Sequence, residues 1–165
     1  MTVVELNSLD RPAFVEAIGW VFEDSPWVAE RAWIDRRFPD LHALHAAMVE
    51  QVERATDAER LALLRAHPDL GARARMSDAS TGEQARAGLD GLADDEHERL
   101  RALTAAYRER FGFPFLLAVK GKSKGEIFRA LQARMESLPE EEYREALQQV
   151  YRIARFRLEA ALTDD

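Results

Sequence analysis

His67 and Glu83, with Pro68 directly after the first and Gln84 directly after the second, are the residues of this chain whose types could move a proton and hold a polar ring. Imidazole is the side chain that titrates nearest neutrality. Proline lacks a backbone N–H and pushes the residue before it out of the α region, so His67 is expected to be extended just past a helix C-terminus. The negative end of the helix dipole lies there and favours imidazolium. Ser80-Thr81-Gly82-Glu83-Gln84 reads as the start of another helix, and the amide donors of a helix start suit an anionic ligand. Two plain structural readings stand beside these. His67 can be no more than a helix terminator, and Glu83 can close a capping box on Ser80 worth about 1 kcal/mol. Gln84 has no such local duty.

Helices must position these groups. Thr56-Asp57-Ala58-Glu59 is a capping box that opens a helix carrying Leu61, Leu63 and Leu64 up to His67. Residues 72–79 lack an apolar period and read as a surface loop, and the helix from Ser80 is expected to end near Gly91. Upstream, Asp10-Arg11-Pro12 starts a helix running to about Phe22, with Phe14, Ile18, Val21 and Phe22 buried. Ser25 caps a short helix with Pro26 in its first turn, and Trp27 and Trp33 are assigned to the core because bulky aromatics dominate buried area. Asp40 opens a helix with Leu41, Leu44, Met48 and Val52 inside. His42 and His45 lie three apart on it, but Glu50 falls on another face, so a solvated helix face is preferred to a metal site.

Downstream, a helix from Asp94 to Phe111 buries Leu100, Leu103, Tyr107 and Phe111 and stops at Gly112. Phe113 to Gly121 could be a strand, yet the chain offers it no partner strand. Its backbone groups must be wet or must bind something, and it reads as a buried extended segment lining a pocket. Ser123 caps a helix with Ile127, Phe128, Leu131 and Met135 inside. Ser137-Leu138-Pro139 breaks it, and a long amphipathic helix to Leu162 follows, with Tyr143, Leu147, Val150, Ala154 and Leu158 on one face. The sum is one all-α domain spanning 1–165, of about eight helices.

Composition narrows the function. The chain has 165 residues and no cysteine, which removes disulfides, thiolate nucleophiles and sulfur-ligated zinc. Asp and Glu number 30 against 23 Lys and Arg, and the net charge of -7 argues against a nucleic-acid backbone or an anionic membrane as partner. A small ligand in a local basic pocket remains compatible. Met1-Thr2-Val3-Val4-Glu5 carries no signal-peptide pattern, no apolar run approaches a membrane span, and Leu162-Thr163-Asp164-Asp165 carries no address signal, so a cytoplasmic location is expected.

Taken together and in this order, His67-Pro68-Asp69-Leu70-Gly71, Ser80-x-x-Glu83-Gln84 and Tyr107-x-x-x-Phe111-Gly112-Phe113-Pro114-Phe115 resemble the OHCU decarboxylases of purine degradation. Ser25-Pro26-Trp27, Gly88-Leu89 and Arg157-Leu158 agree as well. The resemblance implies an all-helical homodimer that acts without cofactor or metal on 2-oxo-4-hydroxy-4-carboxy-5-ureidoimidazoline, releasing carbon dioxide and forming (S)-allantoin. It implies His67 as general acid, with Glu83 beside it in catalysis. It further implies a substrate lining of Pro68, Ser80, Thr81, Gly82, Glu83, Gln84, the segment Phe115, Leu116, Leu117, Ala118, Val119, and Arg157.

The residue types suit that chemistry. Loss of carbon dioxide leaves an electron pair that the ring C=N can accept, so no pyridoxal or thiamin sink is required. Two other functions stay in competition: a helical binding module that keeps the purine-derived pocket without turnover, and a metal-binding bundle built on His42 and His45.

Overall fold

The computed structural model describes residues 1–71 and 78–163. The loop expected over 72–79 therefore lies, for 72–77, outside the described residues. Among the described residues the chain forms α-helices and no strand, in agreement with the all-α expectation. In chain order these are α1 (Val3–Asn7), α2 (Arg11–Ile18), α3 (Trp27–Ala32), α4 (Leu41–Arg54), α5 (Asp57–Ala66), α6 (Asp78–Arg86), α7 (Asp94–Phe111), α8 (Lys124–Arg134) and α9 (Pro139–Ala161). The chain divides into two compact units, Met1–Ala66 with Tyr151–Asp165, and His67–Val150.

In the first unit, Thr2 and Glu5 form a capping box that starts α1, a short helix ahead of the one that Asp10 opens. Asp10 caps α2 by accepting from the Ala13 N–H at 2.9 Å. This helix does not run on to Phe22. It ends at Ile18 and tightens into a 3-10 turn over Gly19–Val21, where a glycine lowers helix propensity. Phe14, Ile18, Val21 and Phe22 are nonetheless all buried.

Ser25 is not a helix cap. Its hydroxyl donates to the Glu23 carbonyl at 2.8 Å, and Pro26 stands at the N-cap position of α3. The two tryptophans are half-buried rather than core, because each keeps a face for an arginine. Arg31 lies 4.5 Å over Trp27, and Arg36 and Arg11 lie 3.7 and 4.9 Å from the Trp33 ring.

The Thr56 box forms as expected, with Glu59 N–H on the Thr56 hydroxyl at 3.1 Å. Its carboxylate also pairs with Arg31, which holds the Glu59 pKa down to about 2. On α4, Leu44, Met48 and Val52 are buried and Leu41 is half-buried. His45 Nε2–H donates to the Tyr151 carbonyl at 2.8 Å, and burial pushes its imidazole below the ordinary histidine range. His42 is exposed, and among the described residues no three or more His, Asp or Glu are grouped so as to hold a metal ion.

In the second unit, three acids, Asp94, Asp95 and Glu96, sit in the first turn of α7 against the positive end of its dipole. Gly112 ends it in the left-handed region at φ 81, with its N–H on the Arg108 carbonyl at 2.7 Å. Leu100, Thr104 and Tyr107 form the buried line, and Leu103 and Phe111 flank it half-buried. Tyr107 anchors an aromatic cluster with Phe111, Phe113 and Phe115 at centroid distances of 4.6, 6.0 and 5.3 Å. The Ser123–Glu126 box caps α8, and Ile127, Phe128 and Leu131 are buried while Met135 is half-buried. Pro139 opens α9 at the position where its missing N–H costs nothing.

Helix α6 departs from its expected limits at both ends. It begins at Asp78, so Ser80 lies inside the first turn and is not the cap from which a box to Glu83 would be built. Alanine at position 79, the best helix former, suits the earlier start. It stops at Arg86, and a separate 3-10 turn covers Leu89–Gly91.

Candidate active site

His67 follows the last helical residue of α5, is non-helical as Pro68 demands, and is 5% exposed. The turn His67-Pro68-Asp69-Leu70-Gly71 is held from three sides. Gly71 donates its N–H to Gln84 Oε1 at 2.7 Å. Its carbonyl accepts from His97 Nε2–H at 3.0 Å, and Asp69 pairs with Arg108 at 3.2 Å. Gln84, which showed no local duty in the sequence, thus ties α6 to the turn that carries His67. Ser80 and Gln84, four apart on one helix face, are buried at 5% and 6% exposure, with Glu83 half-buried beside them. Gly82 is half-buried and Thr81 is exposed.

Gly71 sits at φ +72, and a Cβ there would lie 2.6 Å from Leu100 Cδ2. Gly71→Ala is therefore expected to cost about 1–3 kcal/mol, from the left-handed backbone and the displaced leucine together. Urea unfolding of the variant measures it, and an unchanged midpoint would contradict the strain.

Residues 113–119 are all buried and belong to no regular element. Two of their backbone groups are held by side chains. The Leu116 carbonyl accepts from Arg134, and the Ala118 N–H donates to Gln149 Oε1 at 2.9 Å. These belong to alternate residues, which in an extended chain share one edge. Leu117 and Val119 fall on the other edge, and among the described residues nothing hydrogen-bonds their N–H groups. Buried amides without a partner are rare, so this edge is suited to a ligand with carbonyl acceptors.

Arg157 belongs to the other unit. It is 3% exposed and pairs with Glu23 at 2.8 Å, with Nη1 also donating to the Trp20 and Val21 carbonyls at 3.3 and 3.4 Å. The remaining candidates, His67, Pro68, Ser80 through Gln84 and Phe115 through Val119, are in the unit His67–Val150.

The supporting residues His97, Arg108, Arg134, Glu142 and Gln149 escaped the sequence reading. Glu142 and Gln149 did leave a signal, because they recur at helical spacing with the apolar Ala146 and Val150.

A family model described as OHCU decarboxylase matches residues 7–159, which takes in every candidate from His67 to Arg157. The chain belongs to the OHCU decarboxylase family. It is 45% identical over 159 residues to the 2-oxo-4-hydroxy-4-carboxy-5-ureidoimidazoline decarboxylase of Halalkalicoccus jeotgali, covering 96% of this chain and 90% of that one. To the protein of the same description from Haloferax volcanii it is 46% identical over 158 residues, covering 96% and 94%. Among solved structures, the crystal structure of an (S)-allantoin synthase superposes with a TM-score of 0.82 at 34% identity. It covers 99% of this chain, which spans 54% of that longer protein. As a member of the family the chain is a carboxy-lyase, and among its described residues no helix is long and apolar enough to cross a membrane.

Proposed function

We propose that His67 is the proton donor and Glu83 a substrate-orienting carboxylate in the reaction this OHCU decarboxylase catalyses. That reaction converts 2-oxo-4-hydroxy-4-carboxy-5-ureidoimidazoline to (S)-allantoin with release of carbon dioxide. The observation that carries the assignment is the held turn: His67 is buried at a helix end whose turn is bonded, through Gly71, to the helix bearing Ser80, Glu83 and Gln84.

Cleavage of the bond to the carboxylate leaves its electron pair on carbon, and the ring C=N takes up that pair. The former imine nitrogen takes a proton, the enol hydroxyl left on the decarboxylated carbon gives one up as it becomes the product carbonyl, and the adjacent ureido-bearing carbon takes a proton on one face. No external electron sink enters the balance, so the chain's task is orientation, stabilisation of charge developing in the ring, and delivery of one proton. His67 delivers it. The N–H groups of Leu117 and Val119 offer donors to the ring and ureido carbonyls, and Glu83 accepts from their N–H groups. Arg157 stays outside the proton-transfer set, because its guanidinium is committed to Glu23 and two carbonyls. A strong pairing with the substrate carboxylate in the ground state alone would also slow its loss. On the strength of the family resemblance, the chain acts as a single functional domain, as a homodimer in the cytoplasm.

The reading is tested by generating the unstable substrate from urate in situ and following circular dichroism. Spontaneous decay gives racemic product, so a chiral signal rising faster than the background is the expected result, and its absence would overturn the reading. Glu83→Gln separates orientation from helix stability. Because Ser80 is inside α6, no Ser80–Glu83 cap is at stake, and stability should change by no more than about 1 kcal/mol. Turnover should fall about tenfold or more as the charge is lost. Unaltered turnover in the folded variant would remove Glu83 from the site.

A further inference from the structure

A buried polar set behind the segment Phe115 to Val119 has no part in the chemistry above. Glu142 is 1% exposed and accepts from the Tyr107 hydroxyl and from Arg134 Nε at 2.7 Å, with Arg134 Nη2 at 2.5 Å from the same oxygen. Arg134 then reaches the Leu116 carbonyl through Nη1 and places its guanidinium 4.6 Å over the Phe115 ring. Burial and the Glu142 hydrogen bond push the Tyr107 phenol far above its ordinary range, so it remains a donor. About two turns along α9 from Glu142, Gln149 is 4% exposed. Its Oε1 takes the Ala118 N–H, and its Nε2 donates to Glu145 at 2.7 Å, which fixes the amide orientation.

Removing a charged pair from water is costly, and a buried carboxylate–guanidinium pair of this kind is a weak source of net stability compared with apolar packing. What it supplies is direction. Both side chains grip the same edge of the segment, at alternate residues 116 and 118, and leave the N–H groups of Leu117 and Val119 on the other edge unbonded, while the Val119 carbonyl accepts from the Lys122 N–H at 3.0 Å. We infer that Gln149 and the Tyr107–Glu142–Arg134 set are positioning residues, which hold one edge of the 115–119 backbone so that the other presents its amides to the substrate. This rests on the reading that the segment binds substrate.

The test measures KM and kcat on substrate generated in situ, with (S)-allantoin binding by calorimetry as a second readout. Gln149→Leu keeps volume and removes the acceptor. It should raise KM about tenfold while kcat falls by less than about threefold, since a misplaced binding edge weakens ground and transition states alike. Gln149→Glu combined with Glu145→Gln keeps an acceptor oxygen for Ala118 and a donor facing position 149, and should bring KM back to within about threefold of the parent, a rescue that a merely structural role would not show. If Gln149→Leu does not fold, Tyr107→Phe decides: it removes one hydroxyl from Glu142, and the same rise in KM is expected. Unchanged KM in a folded Gln149→Leu protein, or in Tyr107→Phe where that variant decides, overturns the inference.

Leu117→Pro deletes one amide on the open edge and separates this inference from the reading beneath it. Weaker allantoin binding in Leu117→Pro with none lost in Gln149→Leu sinks the positioning role alone. Full binding in Leu117→Pro sinks both.

Discussion

His67→Asn is expected to yield a folded protein whose turnover is lower by about 100-fold or more, the scale on which general acid–base groups act. Asparagine is polar, similar in reach and acceptable in the extended conformation that Pro68 imposes. The turn itself is held by groups that the substitution leaves in place: Gln84 and His97 on Gly71, and Arg108 on Asp69. Binding of (S)-allantoin should survive, because the backbone donors of the 115–119 segment and the α6 side chains are untouched. Thermal unfolding, calorimetry and the circular-dichroism assay on one preparation separate the cases. Stability collapsing together with activity would make His67 a packing residue, and a folded variant with full turnover would hand the proton to another donor.

Arg157→Met is expected to give the largest loss of stability, about 3 kcal/mol or more. The guanidinium and the Glu23 carboxylate are 3% and 2% exposed, and the Trp20 and Val21 carbonyls lose a donor at the same time. Methionine fills the volume but leaves the carboxylate in a buried place without its guanidinium. Adding Glu23→Gln should recover part of the loss, because the double variant no longer buries that charge. Urea unfolding of the two single variants and the double variant measures the coupling. A single-variant loss below about 1 kcal/mol would mean that water or another group replaces the arginine.

The parts of this fold that could be read from residues alone are those written in local code. The Thr56–Glu59 and Ser123–Glu126 boxes, the left-handed Gly112 and the His67-Pro68 boundary each depend on neighbours within a few positions, and each stands where the pattern places it. At the start of α6 local code misleads, because Ser80-x-x-Glu83 imitates a capping box while the helix already begins at Asp78. Trp27 and Trp33 were assigned to the core by size, and what keeps them half-buried is arginine stacking that size does not announce.

The supports of the candidate site were harder to see. Gln84 finds its partner at Gly71, and Gln149 finds its partner at Ala118, across separations that no local rule covers. Glu142 looks like one of three solvated acids in Glu140-Glu141-Glu142, and only its place on the apolar stripe of α9 marks it as the one that turns inward. Glu83 is legible from residue type and the segment Phe115 to Val119 from its lack of a partner strand, which is chemical reasoning rather than periodicity, whereas which of its amides stay open depends on Arg134 and Gln149.

The central claim is that one buried histidine delivers one proton to one face of the decarboxylated ring. Its most direct test is the enantiomeric composition of allantoin at complete conversion, measured side by side for the parent protein and folded His67→Asn at equal concentration. The account predicts the S enantiomer from the parent and a nearly racemic product from the variant, because spontaneous decay then outruns the enzyme. A variant that delivers the S enantiomer at the parent's rate would contradict it.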